Sequence, residues 1–160
     1  MEFKFTPENL DRINLEIKKY PVKQPAVMAA LYIGQEQNGF ISFEVIKEVS
    51  EILDMHAHDV MGVVSFYTMY HQKPMGKYHI QVCTNVSCML RGGYDIWNRM
   101  KDKFQIGHME VTPDQKFSLE EVECMGSCGT APMFAINEDF YENLTNEKAE
   151  EIIESLKNVN

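Results

Sequence analysis

The chain has 160 residues, 44% hydrophobic and 24% charged, which suits one medium domain or a small domain with a helical extension. Its net charge of −9 and pI of about 5.0 argue against nucleic acid and anionic lipid as partners. No run approaches the ~18 apolar residues of a membrane span, and the start, MEFKFTPENL, lacks the basic and apolar segments of an export signal. Direct membrane insertion is therefore not expected, and a reducing, cytoplasmic setting is.

Residues 1–73 read as a helical segment. Thr6–Pro7 is a cap followed by proline at a first helical position, and Leu10, Ile13 and Ile17 then form one apolar stripe. A second helix is predicted over 24–37, apolar almost all round at its AVMAALYI centre and stopped by Asn38–Gly39. Ser42 caps a third helix that turns Val45, Ile46, Val49, Ile52 and Leu53 inward. A fourth, shorter helix is predicted over 58–66. The Pro- and Gly-containing stretch HQKPMGK then marks a linker.

Residues 74–160 change period. Tyr78, Ile80 and Val82 alternate with polar residues, as a strand does. A helix is predicted over 89–104, with Leu90, Tyr94, Trp97 and Met100 at helical spacing. Strands are predicted over 117–124 and 133–136, and a last helix over 146–157, capped by Thr145, with Ala149, Ile152, Ile153 and Leu156 buried. Strand–helix–strand–strand–helix is the thioredoxin-like order, so the fold class is α/β (α+β), a helical N-terminal segment before a thioredoxin-like domain.

Cys83, Cys88, Cys124 and Cys128 are all the cysteines in the chain. They fall as C-x4-C and C-x3-C, with residues 89–123 between the pairs. Four thiolates are the ligand set of an iron–sulfur cluster or of a structural zinc. Two separate pairs match the two irons of a [2Fe–2S] unit, whereas zinc pairs usually close on a tighter C-x2-C turn. Iron–sulfur is therefore the leading expectation. A zinc-stabilised interaction module without redox role is the alternative, and a metal-free dithiol oxidoreductase a third reading. Cys88 falls at or near a helix N-terminus, and Gly126 and Gly129 let backbone N–H groups approach sulfur closely.

The segments GVVSFYTMYHQKPMGKYHIQVC at 62–83, VCTNVSCMLRGG at 82–93 and VECMGSCGTAPMFAINEDFY at 122–141 together resemble the 24-kDa-type subunit of respiratory NADH dehydrogenase. The same family includes the small electron-transfer subunits of NAD-linked hydrogenases and formate dehydrogenases. The resemblance covers nearly the whole chain. It implies a thioredoxin-like ferredoxin domain at 74–160 with one [2Fe–2S] cluster held by Cys83, Cys88, Cys124 and Cys128, and a helical segment at 1–73 that docks on a partner. The implied partner is an NADH-oxidising flavoprotein subunit with FMN and iron–sulfur clusters, among further subunits of one oxidoreductase complex. On this reading the chain works in an NADH:quinone oxidoreductase, an NAD-dependent hydrogenase or a formate dehydrogenase. It is a subunit without a substrate site of its own, in the cytoplasm or on the cytoplasmic side of a membrane complex.

Other residues compete less well. His56 and His58 have ligand-like spacing, but four cysteines already suffice, and His71, His79 and His108 read as scattered surface or core residues. Phe66 and Tyr67 read as core aromatics that match the family's Phe-Tyr. There is no GxGxxG or Walker pattern and no nucleophile–base pair, so NADH and flavin binding are not expected of this chain.

Overall fold

A computed structural model describes residues 2–157, and the chain divides into two units, Met1–Pro74 and Met75–Asn160. In the first, α1 (Pro7–Ile17) begins where Thr6 accepts a hydrogen bond from the Asn9 N–H at 3.2 Å. The helix predicted over 24–37 opens with a 3-10 turn, Gln24–Ala26, before α2 (Val27–Asn38), and Gly39 ends it with a left-handed φ of 84°. Ser42 caps α3 (Phe43–Leu53) by accepting from the Val45 N–H, and α4 (Ala57–Phe66) follows. Ile13, Leu31, Val45, Val49, Leu53 and Val60 meet in one core, so the apolar stripes of all four helices are buried within this unit. Phe66 and Tyr67 depart from the sequence reading. Both are exposed, Phe66 at 77%, because α4 ends at Phe66 and the chain turns outward.

The second unit is built on a five-stranded sheet in the order β2-β3-β1-β4-β5. The strands are β1 (Tyr78–Cys83), β2 (Glu110–Val111), β3 (Phe117–Val122), β4 (Phe134–Ile136) and β5 (Asp139–Tyr141). β1 runs parallel to β3; the other pairs are antiparallel. β2 and β5 were not predicted, because two or three residues are too few to show alternation. The helix predicted over 89–104 is two helices, α5 (Val86–Leu90) and α6 (Gly93–Phe104), broken where Gly92 adopts a φ of 95°. The final helix, α7 (Asn146–Lys157), starts at Thr145, which accepts from the Lys148 N–H at 3.2 Å.

Alternation gives the sheet two different faces. Ile80, Val82, Leu119 and Phe134 pack with Trp97 and Met100 of α6 and Ile153 of α7. The opposite face carries His79, Gln81 and Cys83 beside Ser118, Glu120 and Val122 in parallel register. His79 and Glu120 are both about as buried as the core. His79 Nε2 lies 2.9 Å from Glu120 Oε2, Gln81 Nε2 donates to the same oxygen at 2.8 Å, and His79 Nδ1 lies 2.8 Å from the Ser118 hydroxyl. His79 is thus a core residue with satisfied partners. Glu120→Ala removes the acceptor that His79 and Gln81 share in a buried site and should cost about 3 kcal/mol in urea unfolding. Glu120→Gln, which keeps an acceptor oxygen, should cost less. Equal unfolding midpoints for the alanine variant and wild type would show that the network contributes nothing.

Candidate metal centre

The cysteines arrive from four places along the chain. Cys83 is the last residue of β1, and Cys88 lies within the five-residue α5. Cys124 follows the end of β3 at Val122, and Cys128 opens a 3-10 turn, Cys128–Thr130, ahead of β4. β3 stops two residues short of the predicted strand end, so Cys124 stands on a loop instead of in the sheet. Backbone bonds continue the sheet's pairing into the loops: Thr84 N donates to Val122 O at 3.1 Å and Asn85 N to Glu123 O at 3.2 Å. Asn85 then caps α5, accepting from the Val86 N–H at 2.7 Å, and donates to the Glu123 carboxylate at 3.1 Å.

The four thiols come as a buried pair and an exposed pair. Cys83 and Cys88 pack with Ala131 and Met133, flanked by Val122 and Met125. Burial pushes the Cys88 thiol up to about 11, aided by a hydrogen bond with Cys83 and by the nearby sulfurs of Cys83 and Cys128, while a Met133 backbone hydrogen bond pulls the other way. Cys124 Sγ and Cys128 Sγ are 3.8 Å apart, and the Gly126 N–H donates to Cys124 Sγ at 3.4 Å, as the glycine's left-handed φ of 86° allows. Two sulfurs sharing one tetrahedral metal at about 2.3 Å would stand about 3.8 Å apart. Among the described residues no three His, Cys, Asp or Glu side chains are grouped to hold a single ion.

This donor set fits an iron–sulfur group. Four sulfurs in and beside an apolar pocket repel one another as thiolates, and burial alone favours the protonated form. Bound iron supplies the positive charge that makes thiolates stable there. His56 and His58 stack at 5.4 Å at the start of α4 in the first unit, where His58 pairs with Asp59 at 3.1 Å.

Two residues beside Cys88 went unassigned in the sequence reading. Gly93 lies so close to the cysteine backbone that a Cβ there would fall 2.8 Å from Cys83 O and 2.9 Å from Cys88 C and O. Arg91 caps α5 through its N–H to Cys88 O at 3.1 Å and donates from Nη1 to Ala131 O at 3.1 Å. The signal was the run Arg91-Gly92-Gly93, which begins three residues after Cys88. Ala131–Pro132, whose isomer the sequence does not decide, is a cis peptide.

A family model described as thioredoxin-like [2Fe-2S] ferredoxin matches residues 13–157. A component of the NADH-quinone oxidoreductase of Rickettsia bellii (strain RML369-C) is 46% identical over 159 residues, covering 98% of this chain and 95% of that protein. The mitochondrial NADH dehydrogenase [ubiquinone] flavoprotein 2 of Dictyostelium discoideum is 41% identical over 159 residues, covering 98% of this chain and 64% of that one. Among solved structures, an NAD+-reducing [NiFe]-hydrogenase in the H2-reduced state matches with a TM-score of 0.74 at 21% identity. The match covers 85% of this chain and 23% of the hydrogenase chain, a likeness of fold.

Proposed function

This chain belongs to the thioredoxin-like [2Fe–2S] ferredoxin family, and from that membership we propose that it is an electron-transfer subunit of an NADH-dependent oxidoreductase complex. Cys83, Cys88, Cys124 and Cys128 hold one [2Fe–2S] cluster, beside a flavoprotein subunit that oxidises NADH. The observation that carries this reading is the pairing of the thiols, one pair buried and one exposed, at the end of a thioredoxin-like sheet. When bound, such a cluster takes up and releases one electron at a time.

The chain's own residues do the rest. Cys83 and Cys88 hold one side of the site within an apolar pocket that keeps water from their sulfurs. Cys124 and Cys128 hold the side nearest solvent, where an electron enters or leaves with the least intervening protein. The Gly126 N–H steadies the negative charge on Cys124. Around Cys88, the side chains of Val86, Met89, Leu90 and Tyr94 are exposed, an apolar surface suited to a protein partner close to the site. The relatives' names support the complex: one belongs to an NADH-quinone oxidoreductase, another to an NADH dehydrogenase. Among the described residues no helix is long and apolar enough to cross a membrane. Within this proposal the chain works at the cytoplasmic side as one part of the complex and draws its substrate chemistry from the flavoprotein.

Protein purified without oxygen should contain two irons and two acid-labile sulfides per chain. With all-cysteine ligation in an acidic chain, its midpoint should lie at about −300 to −400 mV, followed by electron paramagnetic resonance during a redox titration. Stoichiometric zinc without labile sulfide, in protein from its native source, would establish the zinc module instead.

A further inference from the structure

The two cysteine segments are poor in positive charge. Residues 82–94 and 121–133 contain one basic side chain, Arg91, and two carboxylates, Glu121 and Glu123. Both carboxylates are tied down on this end of the sheet, Glu121 by the Thr84 hydroxyl at 2.8 Å and Glu123 by Asn85 at 3.1 Å. A third, Glu142, accepts from the Thr130 hydroxyl at 2.6 Å. An electron added to this site therefore enters a region where fixed negative charge outnumbers positive.

Arg91 is placed to answer both the geometry and the charge. Its backbone N–H closes α5 on Cys88 O, so its position is set by the helix that carries a ligand. Its guanidinium reaches across to Ala131 O, three residues past Cys128 and in contact with the buried pair through the Ala131 side chain. One side chain thus spans the segment bearing Cys83 and Cys88 and the segment bearing Cys124 and Cys128. Resting on the function proposed above, we propose that Arg91 is a positioning residue: it ties the two cysteine segments together, and its permanent charge favours the reduced state of the site they form. A planar guanidinium suits this double task, because it makes a directed hydrogen bond and keeps its charge at every working pH.

The test uses the full chain reconstituted with iron and sulfide, as wild type, Arg91→Gln and Arg91→Lys. Arg91→Gln removes the charge, and its one-electron reduction equilibrium should weaken by about threefold to tenfold, about 30–60 mV more negative. Arg91→Lys keeps the charge and should titrate with wild type. Both variants lose the guanidinium bridge, so both should release iron to a chelator several-fold faster than wild type. Arg91 is exposed, so metal-free variants should melt with wild type. A chain that folds but loads poorly therefore counts for the bridge. Equal midpoints and equal chelator rates in all three proteins overturn the proposal. An equal midpoint shift in both variants also overturns it, because loop geometry and not charge would then set the potential. Absence of iron and sulfide from the wild type is a different result, and it defeats the proposed function itself.

Discussion

Replacing any one of Cys83, Cys88, Cys124 or Cys128 with alanine should abolish the visible and paramagnetic signature of the cluster. His56→Ala and His58→Ala should leave it intact. Each cysteine variant removes one of the two protein ligands proposed for an iron, and nothing in the described surroundings offers a replacement thiolate. The metal-free chains should separate the four positions in a way that cluster loss cannot. Cys83 and Cys88 fill an apolar pocket with Ala131 and Met133, so truncation leaves a void and should cost about 1–2 kcal/mol in thermal or urea unfolding. Cys124 and Cys128 are exposed, and their alanine variants should stay within about 0.5 kcal/mol of wild type without metal. The assignment fails if one cysteine variant keeps a full-strength signal, or if a histidine variant shifts the spectrum.

Gly93→Ala should damage the cluster site although Gly93 is not a ligand. The added methyl would meet Cys83 O at 2.8 Å and the Cys88 carbonyl at 2.9 Å, and these are backbone atoms that no side-chain rotation can move. Relief requires α6 to retreat from the end of β1 or α5 to move, and a shift of α5 against β1 separates Cys88 from Cys83. We expect loss of most bound cluster together with about 2–3 kcal/mol of destabilisation from overpacking. Two other glycines act as controls. Gly92→Ala meets little but must adopt a φ of 95°, a strain of about 1 kcal/mol. Gly62→Ala, in open space within α4, should be neutral or stabilising by up to about 1 kcal/mol. Full cluster loading and an unchanged melting temperature in Gly93→Ala would show that the crowding is relieved at no cost.

The parts of this protein legible in its sequence are those governed by local rules. Thr6, Ser42 and Thr145 were readable as caps because a hydroxyl before a helix satisfies a backbone N–H three residues on, whatever the rest of the fold does. The apolar stripes of α1 and α3 and the alternation in β1 were readable because period alone decides which face is buried. The candidate ligands stood out by residue type and spacing, and the wider motifs around them resembled a family to which the chain does belong.

What escaped the sequence depends on contacts between distant segments. A single helix over 89–104 satisfies helical period, yet the chain breaks at Arg91–Gly92, so that α5 packs Cys88 in one cluster with Cys83 while α6 packs its apolar face on the sheet. β2 and β5 are too short to carry a pattern and exist because β3 and β4 offer them an edge to pair with. Phe66 and Tyr67 look like core residues in sequence, and only the end of α4 turns them to the surface. The division of the thiols into a buried and an exposed pair is likewise a tertiary property. Burial depends on what packs over a side chain, and Ala131 and Met133 come to Cys83 and Cys88 from far along the chain. Local propensity and period act within a few residues and are written in the sequence; solvent exclusion and the approach of one backbone to another are settled only when the chain closes on itself.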